Sequence, residues 1–215
     1  MILFLLIMIL YAEPILKTCK AGNRILNKIS NNYQSKLPFQ LEFNIIQGFN
    51  DNDSVQEMTG IFYLSNDSCF RVKFPKQEIL YDGKWLWSLD ESSEQVVVEE
   101  FNPQSSLKFL YDIVNGNWDE FVVNNIFTFD SMSNVAEVRL STQNENNFFK
   151  SIVIKIDTLS NVIKEANYID FQQNNISIGF KNFAPISFSD SLLFKVKDFG
   201  NKELIDLRPS IRIVR

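Results

Sequence analysis

The fold is decided by the stretch RVKFPKQEILYDGKWLWSLDESSEQVVVEEF, Arg71 to Phe101. It divides into short runs with apolar residues at every second position, and Asp82-Gly83 stands between two of them. An Asp-Gly pair flanked by alternating apolar residues is a strong hairpin signal. Two tryptophans and many β-branched residues fall on these few strands. So much large apolar surface serves either a filled core or the wall of a cavity for something apolar.

The same texture extends outward on both sides. FQLEFNIIQ places Phe39, Leu41, Phe43 and Ile45 on one face, and CFRVKF places Phe70, Val72 and Phe74 on one side with Arg71 and Lys73 on the other. FVVNNIFTF, VAEVRLST, FKSIVIKID, VIKEANYIDF and NISIGFKNF read as further strands separated by Asx-rich turns. SDSLLFKVKDFGNKELIDLRP predicts a short helix or extended arm and a last edge strand.

Two segments break the β pattern. From Leu16 to Ser35 the residues Leu16, Cys19, Ile25, Leu26, Ile29 and Tyr33 share one face of a helix, with Gly22 expected to weaken its centre and Pro38 marking its end. In SSLKFLYDIVNGN, Leu107, Leu110, Tyr111 and Val114 recur at helical spacing, with Ser105 or Ser106 as N-cap and Gly116 as stop. About ten antiparallel strands of this length curl, because strongly twisted sheets do not stay flat. The expectation is a mostly β fold with two or three helices: an incomplete, half-open antiparallel β-barrel closed by a helical lid.

Composition bounds the function. The chain has 215 residues, a formal charge of −5 and no histidine, which removes Ser-His-Asp, Cys-His and HExxH chemistry. There is no Lys/Arg run longer than a pair, so nucleic acid is not an expected partner. No GxSxG, GxGxxG or GxxxxGK occurs. Asp90–Glu91 and Glu99–Glu100 read as solvated strand ends. No catalytic residue, metal or cofactor is expected.

MILFLLIMILYAEP opens with ten apolar residues, about half of a membrane span. It fits a secretory leader, residues 1–12, cut after Ala12, although no basic residue precedes it; a buried N-terminal segment is the alternative. A single domain follows over 13–207, and 208–215 form a basic, alternating tail. After export, Cys19 and Cys69 form one disulfide or remain two separate thiols.

GIFYLS from Gly60, CFRVKFP ending at Pro75, EILYDGKWLWSLD, QVVVE from Gln95 and FAPISFSDSLLFKVKDFG follow one another as in the LolA-type outer-membrane lipoprotein carriers, and the chain resembles that family over residues 15–207. The resemblance implies a monomeric periplasmic shuttle without catalytic residues or cofactor. It would take acylated lipoproteins from an inner-membrane ABC-type release complex to an outer-membrane acceptor. It assigns Phe70, Val72 and Phe74 to an acyl cavity, and Phe39, Leu41, Phe43 and Ile79 join them by parity. Trp85 and Trp87 are assigned there too, with a brace on the outer side of the sheet as the alternative. Ile25, Ile29, Leu107, Leu110 and Tyr111 become lid residues. Family members often carry an arginine latch before the Phe70 position. Asn66 stands there in this chain, and parity sends Arg71 to the opposite face. A lipid-sensing regulatory module on the same fold, an outer-membrane acceptor lipidated at Cys19, a carboxylate-pair enzyme and an adhesive β-protein are the competing readings.

Overall fold

The structure is a computed structural model that describes residues 20–49, 54–102, 105–119, 121–128, 134–142, 149–170, 172–187, 192–196 and 200–209. The expected leader, its cleavage site, Cys19 and most of the tail lie outside the described residues.

Helix α1 (Lys20–Gln34) leads into strands β1 (Phe39–Gly48), β2 (Val55–Leu64), β3 (Phe70–Lys73), β4 (Gln77–Tyr81), β5 (Leu86–Asp90) and β6 (Gln95–Glu99). After helix α2 (Ser106–Asn115) come β7 (Phe121–Thr128), β8 (Val135–Thr142), β9 (Phe149–Asp157), β10 (Val162–Asp170), β11 (Asn175–Pro185) and β12 (Glu203–Asp206). All twelve strands form one sheet, ordered β12-β6-β5-β4-β3-β2-β1-β11-β10-β9-β8-β7. β1 and β11 join its two halves, and the edges β12 and β7 do not pair, so the barrel is incomplete. Among the described residues, two more strands form than the ten or so that the sequence pattern predicts. The last one, β12, pairs parallel to β6, with Leu204 opposite Val96.

Register fixes which side chains face inward. Phe39, Leu64, Phe70, Tyr81 and Leu86 lie in one row across β1 to β5, and Leu41, Phe62, Val72, Ile79 and Ser88 lie in the next. On the other half, Phe43 faces Phe180, and the next row runs from Ile45 through Ile178, Ala166 and Ile154 to Val138 on β8. This face meets both helices and forms the core.

α1 buries Gly22, Leu26, Ile29 and Tyr33. Gly22, whatever it costs the helix intrinsically, permits this contact. A Cβ there would lie 2.4 Å from Val123 Cγ1, so the missing side chain lets the helix settle onto β7. Tyr33 is buried, and its hydroxyl accepts the Ile163 N–H at 3.0 Å. Burial holds that phenol well above its usual range, so it stays neutral. α2 has the termini its sequence requires: Ser105 Oγ accepts from Lys108 N, and Gly116 adopts φ +69°, returning its N–H to the last turn.

The opposite, convex face carries a second, smaller layer. Arg71 points there, as parity requires, and is 1 % exposed. It pairs with Glu78 and donates from Nη2 to the Lys195 carbonyl at 2.9 Å. The chain beyond β11 thus crosses behind β3 and β4 before β12 joins the edge.

Trp85 and Trp87 also belong to this convex side, which corrects their assignment to the cavity. Tyr81 pairs with Leu86, so Leu86 faces inward and Trp87, opposite Leu80, faces outward. Asp82 clamps the hairpin. Its Oδ1 accepts from the N–H groups of Lys84 and Trp85, and its Oδ2 accepts from Trp87 Nε1 at 2.9 Å. Arg208 lies over both indole rings. The outer brace, not the cavity wall, is their place.

Candidate functional site

The concave face divides into a packed floor and an open mouth. Phe39, Leu41, Phe43, Phe70 and Val72 form part of the floor and are 0–3 % exposed. α1 and α2 cover them, and their rings pack against one another and against the helices. Tyr33 lies 5.6 Å from Phe39, and Phe70 lies 5.4 Å from Phe62.

The mouth lies at the other end of the same face. A cavity of about 360 Å³ opens between the start of α2 and the ends of β1, β2, β4, β10 and β11. Phe74, Ile79, Leu107 and Leu110 line it, together with Ile45, Met58, Tyr168, Ile176 and Ile178. Gln47, Gln77, Ser106 and Asp170 supply its polar groups. A few polar groups around an apolar hollow is the usual composition of a small-molecule site, and this volume is near the small end of the range.

Four of the fourteen sequence-assigned residues therefore meet at the cavity. Ile25, Ile29 and Tyr111 belong to the helices that cover the floor. Tyr168, Ile176 and Ile178 were not singled out from sequence, although NISIGF alternates Ile176, Ile178 and Phe180 inward.

A second hollow, about 400 Å³, touches the first at Phe74. It is lined by Phe43, Gly60 and Phe74 together with Glu42, Lys73 and Lys181. It exists because β3 ends at Lys73 and leaves the first half of β2 without a neighbour on that side. Phe74 packs edge-on to Phe43, 5.7 Å between centroids, and its ring stands between the two spaces.

Polar fastenings hold α2 at its C-terminal end and along one flank. At its C-terminus, Ser30 Oγ of α1 donates to the Gly116 carbonyl at 2.6 Å and accepts from Trp118 Nε1 at 3.1 Å. Gln34 Nε2 donates to Asn115. On the flank, Tyr111 lies 5.2 Å from Phe70 and 6.3 Å from Phe101. Its hydroxyl is bonded to Ser68 in the β2–β3 turn, while burial raises its pKa. Asn66, in the same turn, is exposed. Among the described residues, no three His, Cys, Asp or Glu side chains come together in a metal-binding group. Cys69 is a free thiol whose pKa is raised by burial, and its Sγ lies near Gly83.

A half-barrel with two helices across its concave face and an apolar mouth beside one of them defines a class of ligand-holding folds. Residues 39–197 match the family model of the outer membrane lipoprotein carrier protein LolA, and the chain belongs to that family. At the level of sequence alone, no curated protein matches it. Among solved structures, an uncharacterised conserved protein from Thermus thermophilus superposes with a TM-score of 0.55 at 11 % identity, covering 87 % of this chain and 99 % of its own. A DUF1329 family protein from Desulfovibrio piger gives 0.50 at 10 % identity, covering 82 % and 96 %. A LolA superfamily protein from Nitrosomonas europaea gives 0.46 at 11 %, covering 80 % and 97 %. At such identities the first two likenesses establish the fold alone.

Proposed function

We propose that the protein is a periplasmic carrier that holds the acyl chains of lipoproteins in the cavity beside α2 and moves them from the inner to the outer membrane. On this reading the leader is cleaved after Ala12. The cargo arrives from an ABC-type release complex and leaves to an outer-membrane acceptor. The protein works as a monomer and has no catalytic step. The observation that carries the reading is the apolar mouth lined by Phe74, Ile79, Leu107 and Leu110 on a fold of this family.

Energetics set what the helices must do. Each methylene moved out of water contributes about 0.8 kcal/mol, so a sixteen-carbon chain represents roughly 12 kcal/mol of burial that water cannot replace. The floor is already filled by Phe39, Leu41, Phe43, Phe70 and Val72. A whole chain enters only if α2 lifts and those rings become its new contacts. Part of the gain is offset by breaking the α2 fastenings, which keeps the cargo releasable.

The test is purification from a Gram-negative periplasm without detergent, followed by native mass spectrometry, lipid extraction and titration with a fluorescent fatty acid. Copurified acyl chains, lost in Leu107→Glu, are the expected result. An empty protein that also ignores the probe would leave the fold without this function. A diacylglycerol-modified Cys19 in the intact mass would make it an anchored acceptor instead of a soluble carrier.

A further inference from the structure

Charge along the chain is strongly segregated. Residues 14–41 hold five Lys/Arg and no Asp/Glu, so with a total of −5 the rest of the chain carries −10. Three of the five, Lys20, Arg24 and Lys28, recur at every fourth position of α1 and are exposed. Residues four apart stack along one helix face, so they make a straight row about 12 Å long at ~1.5 Å per residue. Asn23, Asn27 and Asn31, also exposed, fill the spaces beside it. Gly22, Leu26, Ile29 and Tyr33 point the other way, into the core.

The row does nothing evident for folding. Among the described residues none of the three makes an ion pair. α1 contains no acidic residue with which an i,i+4 pair could form. Lys20 and Arg24 sit in the half of the helix whose dipole favours anions. A local rule broken without a local gain marks a surface kept for contact.

We propose that this face of α1 docks on an anionic lipid surface. The row is a straight ridge of three cations on the outward face of a helix, which suits a flat sheet of phosphates better than a folded acidic partner. One apolar side chain stands beside it. Asn32 Nδ2 donates to the carbonyls of Ser160 and Asn161, which brings the β9–β10 turn against α1, and Leu159 at that turn is 73 % exposed. Cations flanking a protruding leucine form the usual footprint of a peripheral contact with headgroups. The acidic remainder of the molecule is repelled by the same surface, so the orientation is imposed. α1 lies across the concave face, so docking turns the mouth side toward the bilayer.

The experiment uses the full chain and vesicles of phosphatidylcholine with or without phosphatidylglycerol, read by co-sedimentation at several salt concentrations. An apolar N-terminal run binds both vesicles alike, so the readout is the ratio between them. At about a kilocalorie for each Lys or Arg near such a surface, the wild type should prefer the anionic vesicles about a hundred-fold, and added salt should abolish the preference. Lys20→Gln/Arg24→Gln/Lys28→Gln should remove the preference while leaving fatty-acid binding unchanged, because glutamine keeps the helix and the row does not touch the cavity. Leu159→Ser should weaken the anionic binding that remains at moderate salt. A triple variant that keeps the preference overturns the proposal. So does a wild type that binds polyglutamate through the row and shows no vesicle preference. Fatty-acid binding is measured separately, so its failure would refute the carrier reading and leave this proposal standing.

Discussion

If α2 is the moving cover, its weakest useful cut is Ser30→Ala. Ser30 has one hydroxyl proton and gives it to the nearer acceptor, the Gly116 carbonyl at 2.6 Å, while accepting from Trp118 Nε1. The two bonds tie the end of α2 to α1, and α1 is itself anchored by Tyr33 on β10. At about 1 kcal/mol net for each bond between partly buried groups, the variant loses about 2 kcal/mol of closure. That is about a thirty-fold rise in the open-to-closed ratio. Hydrogen exchange read peptide by peptide should show residues 106–116 exchanging about thirty times faster, with strands β8 to β10 changed only as far as global stability falls. Association of a fluorescent fatty acid should speed up in proportion if opening limits entry. An α2 that exchanges as in the wild type, in a variant whose melting temperature nevertheless drops, would mean that this seam supports the fold and does not hold the cover.

Phe74→Ala removes the ring between the two hollows of about 360 and 400 Å³; probe titrations should show the preferred chain length shifting upward, and an unchanged preference would mean the spaces do not communicate. Trp85→Ala and Trp87→Phe alter only the convex face, so melting temperature should fall by a few degrees while fatty-acid affinity stays within two-fold, and bound acyl chains should leave the Trp87 fluorescence unmoved. Burial would raise the Asp82 pKa, but the bonds from Trp85 N, Trp87 Nε1 and Lys84 N together outweigh it and hold the carboxyl below its usual value. The stability it contributes is therefore fully present above the unfolded carboxylate pKa, about 3.9, and is lost as pH falls through the lower folded value. Asp82→Asn should flatten the acid limb of the melting curve below pH 4.

The sequence made the inner face legible wherever alternation ran unbroken from a residue of known side. Phe39, Leu41 and Phe43 followed β1, and Phe70 and Val72 followed β3. Within KWLWSL the alternation was also right, since Trp85, Trp87 and Leu89 do share a face. The resemblance assigned that face to the cavity, with a brace on the outer side of the sheet as the alternative. The loop settles it: Tyr81 and Leu86 close the hairpin as a pair, so the inward row passes from Tyr81 to Leu86 and the tryptophans fall outside. The path of the last segment could not be read this way. Arg71 meets the Lys195 carbonyl across 124 positions, and no local pattern specifies such a contact. The cation row is legible only at helical spacing, because Lys20, Arg24 and Lys28 lie four residues apart and form no run of adjacent charges.

On the proposed function, these placements bear on how the fold would both hold and release an acyl chain. The fastening of α2 is unequal along its length. Its C-terminal end is tied to α1 by hydrogen bonds at Ser30 and Gln34, its flank by Tyr111 on Phe70, while its N-terminal turn at Ser106–Leu107 borders the open mouth. On the proposed function, α2, hydrogen-bonded to α1 at its C-terminal end and held nearer its N-terminus by packing of Phe109 on Phe149 and Tyr168, would open by pivoting about Gly116, where the chain already adopts a left-handed turn. Pivoting exposes Leu107 and Leu110 first and Phe70 last. The cost of admitting a chain therefore rises step by step with its length, since each further methylene must displace a more deeply buried ring. Short or single chains would be bound weakly and long or multiple chains would be resisted. Removing Tyr111 from Phe70 should relax the second limit without touching the first, so Tyr111→Ala should raise affinity for long-chain probes relative to short ones. Equal changes for both would place the pivot elsewhere.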